Sequence, residues 1–177
     1  MKVKKQKLMT LILILVSFLL LSSPFLKAES TEQNSQPELS QPIVTVKPIP
    51  PEGPILPGQT FDLILELAIA SGYHINSDKP GDELLVATSV EMKEDPFVKV
   101  KEIIFPEAKK KKFPFSEKPL SIYEGQIKIK VKMSLNESFK AKNLNLEGRL
   151  RYQACDNQAC LRPMSVLFKV SLPVTSN

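Results

Sequence analysis

Gln126-Ile-Lys-Ile-Lys-Val-Lys-Met133 is the stretch on which the fold turns. Ile127, Ile129, Val131 and Met133 point one way, and Lys128, Lys130 and Lys132 point the other. Successive side chains of a strand leave opposite faces, so this alternation marks a strand with one dry face and one wet face. Two further runs repeat the pattern. Across residues 60–70, Phe61, Leu63, Leu65, Leu67 and Ile69 share a face, with Asp62 and Glu66 opposite. Across residues 164–172, Met164, Val166, Phe168, Val170 and Leu172 share one.

Weaker strand candidates are residues 43–49, 84–92, 97–105 and 144–152. Breakers separate the candidates: Pro50-Pro51-Glu52-Gly53-Pro54, Pro57-Gly58, Lys79-Pro80-Gly81-Asp82, Asp95-Pro96 and Glu124-Gly125. No stretch sustains a helical period, and 15 prolines argue against long helices. Seven or eight short strands with regular turn signals predict an all-β fold, an immunoglobulin-like antiparallel β-sandwich. The expected core holds Leu63, Leu65, Leu67, Ile129, Val131, Val166, Phe168 and Val170.

The chain has 177 residues, enough for one domain and a tail. Residues 1–28 read as a secretory signal peptide. Lys2, Lys4, Lys5 and Lys7 precede an apolar run over residues 8–21, and cleavage is expected after Ala28. That run is shorter than the roughly 20 residues of a spanning helix, although an uncleaved N-terminal anchor is the alternative. Residues 29–41, rich in Glu, Gln, Ser and Asn, read as a disordered linker. The folded domain is expected over residues 42–174, outside the cytoplasm: periplasmic or otherwise exported.

Net charge is +5, but five of the 24 basic residues lie in residues 1–28 with no acid beside them. The rest of the chain balances, so no nucleic-acid partner is expected, because such binding needs a basic face on the folded domain. The single histidine, His74, makes a Ser-His-Asp triad a poor reading, and two thiols with a distant His74 fall short of a zinc site. No metal and no cofactor are expected. His74 itself reads as a turn residue after Gly72-Tyr73, and residues 109–112, four lysines, as a solvated loop.

The two cysteines stand together in Tyr152-Gln-Ala-Cys-Asp-Asn-Gln-Ala-Cys-Leu-Arg-Pro163. Outside the cytoplasm a close pair, Cys155 and Cys160, is able to form a disulfide, with Asp156-Asn157 as the turn. Spacing leaves two readings open. One is a structural staple, worth about 2 kcal/mol for so short a loop. The other is a redox pair at a sandwich edge that opens without unfolding the domain. Asp156 disfavours a thiolate at Cys155, while Arg162 favours one at Cys160.

The same run resembles the periplasmic N-terminal domain of the thiol:disulfide interchange protein DsbD and its relatives, the disulfide bond corrector family. Gly72-Tyr-His-Ile-Asn-Ser-Asp-Lys-Pro80 and Phe113-Pro-Phe-Ser-Glu-Lys-Pro-Leu-Ser-Ile-Tyr-Glu-Gly125 resemble family segments in the same order. The resemblance implies an immunoglobulin-like fold and a thiol–disulfide exchange role. The donor would be a thioredoxin-like domain or a membrane electron carrier, and oxidised periplasmic proteins the acceptors. Cys155 and Cys160 match the family's redox pair, with Cys160 favoured as the first to be attacked. Phe113 and Phe115 fall in the family's cap loop, so one is a candidate cap; core packing is the alternative. The best-known members fuse this domain to a membrane carrier and a thioredoxin-like domain, neither of which this sequence carries. The pair spacing is also one residue shorter than in some relatives. The expectation is therefore a free-standing donor. The alternatives are a non-enzymatic envelope-binding or chaperone-like sandwich with a structural disulfide, and a complex subunit recognised through a sheet edge.

Overall fold

The computed structural model describes residues 42–175. The expected signal peptide and linker, residues 1–28 and 29–41, lie outside the described residues. The described chain is all strand and turn, with no helix among those residues. Its elements are β1 (Val44–Ile49), β2 (Thr60–Ile69), β3 (His74–Asn76), β4 (Ser89–Met92), β5 (Val98–Ile104) and β6 (Lys109–Lys111). They continue as β7 (Leu120–Tyr123), β8 (Gln126–Leu135), β9 (Asn143–Tyr152), β10 (Ala154–Cys155) and β11 (Met164–Pro173).

Two sheets form an immunoglobulin-like antiparallel sandwich. One has the order β1-β2-β8-β5 and the other β11-β9-β4. Alternation dictates the packing: Leu63, Leu65 and Leu67 on β2 and Ile129, Val131 and Met133 on β8 are all fully buried. They meet Leu144, Leu146 and Leu150 of β9 and Phe168 and Leu172 of β11 in one cluster. Each such side chain stabilises the fold by about 1.5–3 kcal/mol relative to exposure. On the wet face, Lys128 pairs with Glu66 at 3.7 Å and Lys130 with Asp62 at 3.3 Å, exposed contacts that add little stability.

The long strands sit where alternation puts them, and the corrections fall on the shorter pieces. There are eleven strands, not seven or eight. Residues 109–112 are not simply a loop: Lys109–Lys111 is an exposed edge strand, paired with β7. Lysines on an edge discourage further strand pairing, which is why a charged run is tolerated there. The candidate over residues 84–92 shrinks to Ser89–Met92, with Leu84 90 % exposed. On β11, Phe168 is buried, but Val166 and Val170 are only half-buried and Met164 is exposed, because the strand is a sheet edge.

A third sheet, β10-β3-β7-β6, extends from one end of the sandwich. The register places it there. Ala68 pairs with Gln126, Tyr152 with Met164, and Ser89 with Arg151, so β2, β4, β8, β9 and β11 all reach that end. The chain leaves β2 for β3, returns from β7 to β8 through Gly125 (φ 72°), and runs from β9 into β10. The pleat then sorts side chains. Ile75, Tyr123, Tyr152 and Ala154 join the main core. His74, Asn76, Cys155 and Ile122 point to the other face, because Cys155 pairs with His74 and Ile122 with Asn76.

Candidate functional site

The site is built in the connection between β9 and β11. Leu161 N–H donates to the Ala154 carbonyl at 2.8 Å, and Asp156 N–H donates to the Ala159 carbonyl at 3.0 Å. These bonds flank Cys155 and Cys160 and make them a non-hydrogen-bonded pair, the position at which facing side chains come closest. The two are joined in a disulfide, with Cα atoms 3.9 Å apart. Asp156 closes the turn as its sequence suggests: its Oδ1 accepts from Gln158 N–H at 2.7 Å and Ala159 N–H at 2.8 Å. Those bonds hold its carboxyl below the ordinary carboxylate range, so its negative charge stays next to Cys155.

The hairpin's two arms differ. Cys155 is on the inner arm, paired with β3 and 0 % exposed. Cys160 is on the outer arm, which pairs with no strand but β10, and is half-buried. Gln153 ties the hairpin down. Its Nε2 donates to the Leu161 carbonyl at 3.1 Å, and its Oε1 accepts from Asn76 Nδ2 at 3.0 Å and Val86 N–H at 2.9 Å. One side chain thus links both arms, β3 and the segment leading to β4.

His74 lies directly across the ladder from Cys155, not distant from the pair as its position in the sequence suggested. It is 3 % exposed. Its ring stacks on Phe113 at 4.4 Å between centroids, and Phe113 stacks on Phe115 at 5.2 Å. Burial and the Lys111 ammonium lower the His74 pKa below 6.5, against smaller opposing effects of Glu124 and Asp156. The imidazole is therefore neutral at pH 7.

The two cap candidates separate. Phe113 is 2 % exposed and packs with Leu120 and Ile122, on the face of the third sheet that carries His74 and Cys155. Phe115 is 40 % exposed and touches that face only through Phe113. Of the two readings of Phe113, packing is what the structure shows: it is buried against His74, Leu120 and Ile122. Sequence reasoning missed Gln153 and Asn76, and it gave His74 no place beside the pair. The one signal was that His74 and Asn76 belong to the segment from Gly72 to Pro80 singled out by resemblance.

A family model described as the thiol:disulfide interchange protein DsbD, N-terminal, matches residues 45–172. The chain belongs to the DsbD N-terminal family. No curated protein sequence matches it. Among solved structures, the reduced DsbD N-terminal domain of Neisseria meningitidis is 16 % identical, with a TM-score of 0.43, over 63 % of this chain and 77 % of that one. The N-terminal periplasmic domain of ScsB from Proteus mirabilis is 18 % identical, with a TM-score of 0.47, over 74 % of this chain. This chain matches 45 % of that Proteus chain, less than half its length. Membership in the DsbD N-terminal family, with a disulfide in the matched region, makes this a domain of thiol–disulfide exchange type that works with redox partners.

Proposed function

We propose that this DsbD N-terminal-like domain is exported by residues 1–28 and acts outside the cytoplasm. It takes reducing equivalents from a thioredoxin-like domain or membrane electron carrier and passes them to oxidised envelope proteins. Cys155 and Cys160 carry the electrons. A partner thiolate attacks the Cys160 sulfur, the Cys155–Cys160 bond breaks, and Cys155 leaves as a thiolate. A second partner thiol then displaces Cys160, leaving the pair reduced and the donor oxidised. The reduced pair repeats these steps in the opposite direction on a client disulfide.

The observation that carries this reading is the asymmetry of the hairpin: Cys155 is fully buried on the paired arm, while Cys160 is partly open on the free arm. An incoming thiolate reaches only one sulfur, and its neighbour is held in place to resolve the intermediate. Phe113, over the same face, serves as the cover that keeps small oxidants and thiols from the buried sulfur.

The reduction potential tests the proposal. Structural disulfides in exported proteins lie below about −300 mV, and exchangeable ones lie higher. Equilibration with glutathione or dithiothreitol buffers is expected to place this pair above that value. A potential below it returns the pair to a structural staple.

A further inference from the structure

Buried polar atoms without a partner are uncommon, and each calls for a reason. Among the described residues they are His74 Nε2, Asn76 Oδ1 and Tyr152 Oη. All three belong to residues that flank or face Cys155: Tyr152 precedes it on the same run, and His74 and Asn76 lie on β3 alongside β10. His74 is the one directly opposite, on the same face, where facing Cβ atoms are about 4.5–5.5 Å apart. In the disulfide state neither sulfur carries a proton to offer. In the reduced state Cys155 gains an S–H donor on the residue that faces the unpaired imidazole across the ladder.

We propose that Nε2 of His74 accepts the thiol proton of Cys155 when the reduced pair resolves a mixed disulfide. This rests on the exchange reading above. Cys160, as a thiolate, attacks a client disulfide; a bond forms between Cys160 and one client sulfur, and the other client sulfur leaves and is protonated by water. Cys155 then gives its proton to His74 Nε2 and attacks the Cys160 sulfur. The Cys155–Cys160 bond forms, the bond from Cys160 to the client breaks, and the departing client thiolate takes the proton that His74 held. The client gains two electrons and the pair loses two.

The surroundings suit a proton acceptor. A base must be unprotonated at working pH and lie within reach of its proton. Burial and Lys111 of β6 keep the imidazole neutral, opposed by Glu124 after β7 and Asp156 in the turn. The stack on Phe113 holds the ring in place without using its nitrogens. Without such an acceptor, Cys155 is a poorly placed thiol, buried and beside the Asp156 carboxylate.

The test uses reduced protein and an aromatic disulfide reagent, dithionitrobenzoate, in rapid mixing. Attack by Cys160 releases one chromophore in a bimolecular phase, and resolution by Cys155 releases the second in a unimolecular phase. His74→Phe preserves the ring stack and removes the nitrogen. It is expected to keep the first phase and slow the second by about tenfold or more, as loss of a general base does. It should also shift the second phase's pH profile to higher pH. His74→Gln, polar but unable to carry a proton at these pH values, should show the same loss. A second phase unchanged in rate and pH profile in both variants overturns the proposal. A parent protein that shows no unimolecular phase overturns the exchange reading itself, a different and distinguishable failure.

Discussion

The rings of His74 and Phe113 stack at 4.4 Å, 19° from parallel, so the residue facing Cys155 is roofed by an aromatic side chain from another loop. The roof and the redox hairpin are separate pieces of chain brought together by the third sheet. Phe113 packs in a small cluster of its own, whereas the hairpin reaches the sandwich core through Ala154.

The roof predicts a kinetic effect. Phe113→Ala removes a buried ring and is expected to cost about 3 kcal/mol, at the low end for such truncations because its cluster is small. It should also speed reduction of the pair by glutathione several-fold. Phe115→Ala, at a 40 % exposed position, should change stability by less than about 1 kcal/mol. Denaturation curves and the rate of thiol appearance check both. An unchanged reduction rate in Phe113→Ala contradicts the cover role.

The disulfide itself should matter little to folding. It closes a loop with a sequence separation of 5, for which chain entropy gives about 2 kcal/mol. The double variant Cys155→Ser, Cys160→Ser should fold, with a denaturation free energy lower by that amount or less. Failure to fold at room temperature favours the staple.

The sequence was most legible where strands are long. β2, β8 and β11 each run 10 residues, enough for alternation to show, while β9, equally long, read only as a weaker candidate. β3, β6, β7 and β10 are 3, 3, 4 and 2 residues long, too short for any period to register. Those four form the sheet that carries the site. His74 looked like a turn residue because Gly72, with φ 84°, does end a turn just before it. Its pairing with Cys155 is a long-range register, which local pattern does not encode. The cysteine pair was legible because its partners lie within one hairpin. Which of Phe113 and Phe115 is buried was not legible, since the two stand two residues apart in one loop and only the packing separates them.

The sandwich offers a test of its own at Gly148, which pairs with Phe168 on one side and Met92 on the other. A Cβ there would lie 2.4 Å from Phe168 Cζ and 3.0 Å from the Met92 sulfur. Phe168 is buried in the core and has little room to retreat. Gly148→Ala is expected to destabilise by about 1–3 kcal/mol through overpacking, read by thermal or urea denaturation. A neutral or stabilising result contradicts this packing.

The buried imidazole makes stability depend on pH. His74 binds its proton more weakly folded than unfolded, so the unfolded chain takes up more protons once pH falls below its ordinary value of 6.5. Above that value His74 costs nothing; below it stability falls, until the pH passes the lower folded value and the loss levels off. Urea denaturation at pH 8 and pH 5 should show this loss in the parent, and a smaller one in His74→Phe. Equal losses in both proteins contradict the burial of a neutral imidazole.

The central claim is that Cys160 meets the partner and Cys155 resolves, and covalent capture tests it most directly. Each single variant, reduced and freed of added thiol, is mixed with a purified thioredoxin-like domain whose resolving cysteine is replaced by serine and whose remaining cysteine carries a thionitrobenzoate group, so that attack by the variant's thiolate forms the mixed disulfide and releases thionitrobenzoate. Non-reducing electrophoresis and mass spectrometry read the product. Cys155→Ser, left with the half-buried Cys160, is expected to accumulate the mixed disulfide, while Cys160→Ser, left with the buried thiol, accumulates little. Capture by Cys160→Ser alone would reverse the roles, and capture by neither would contradict exchange through this pair.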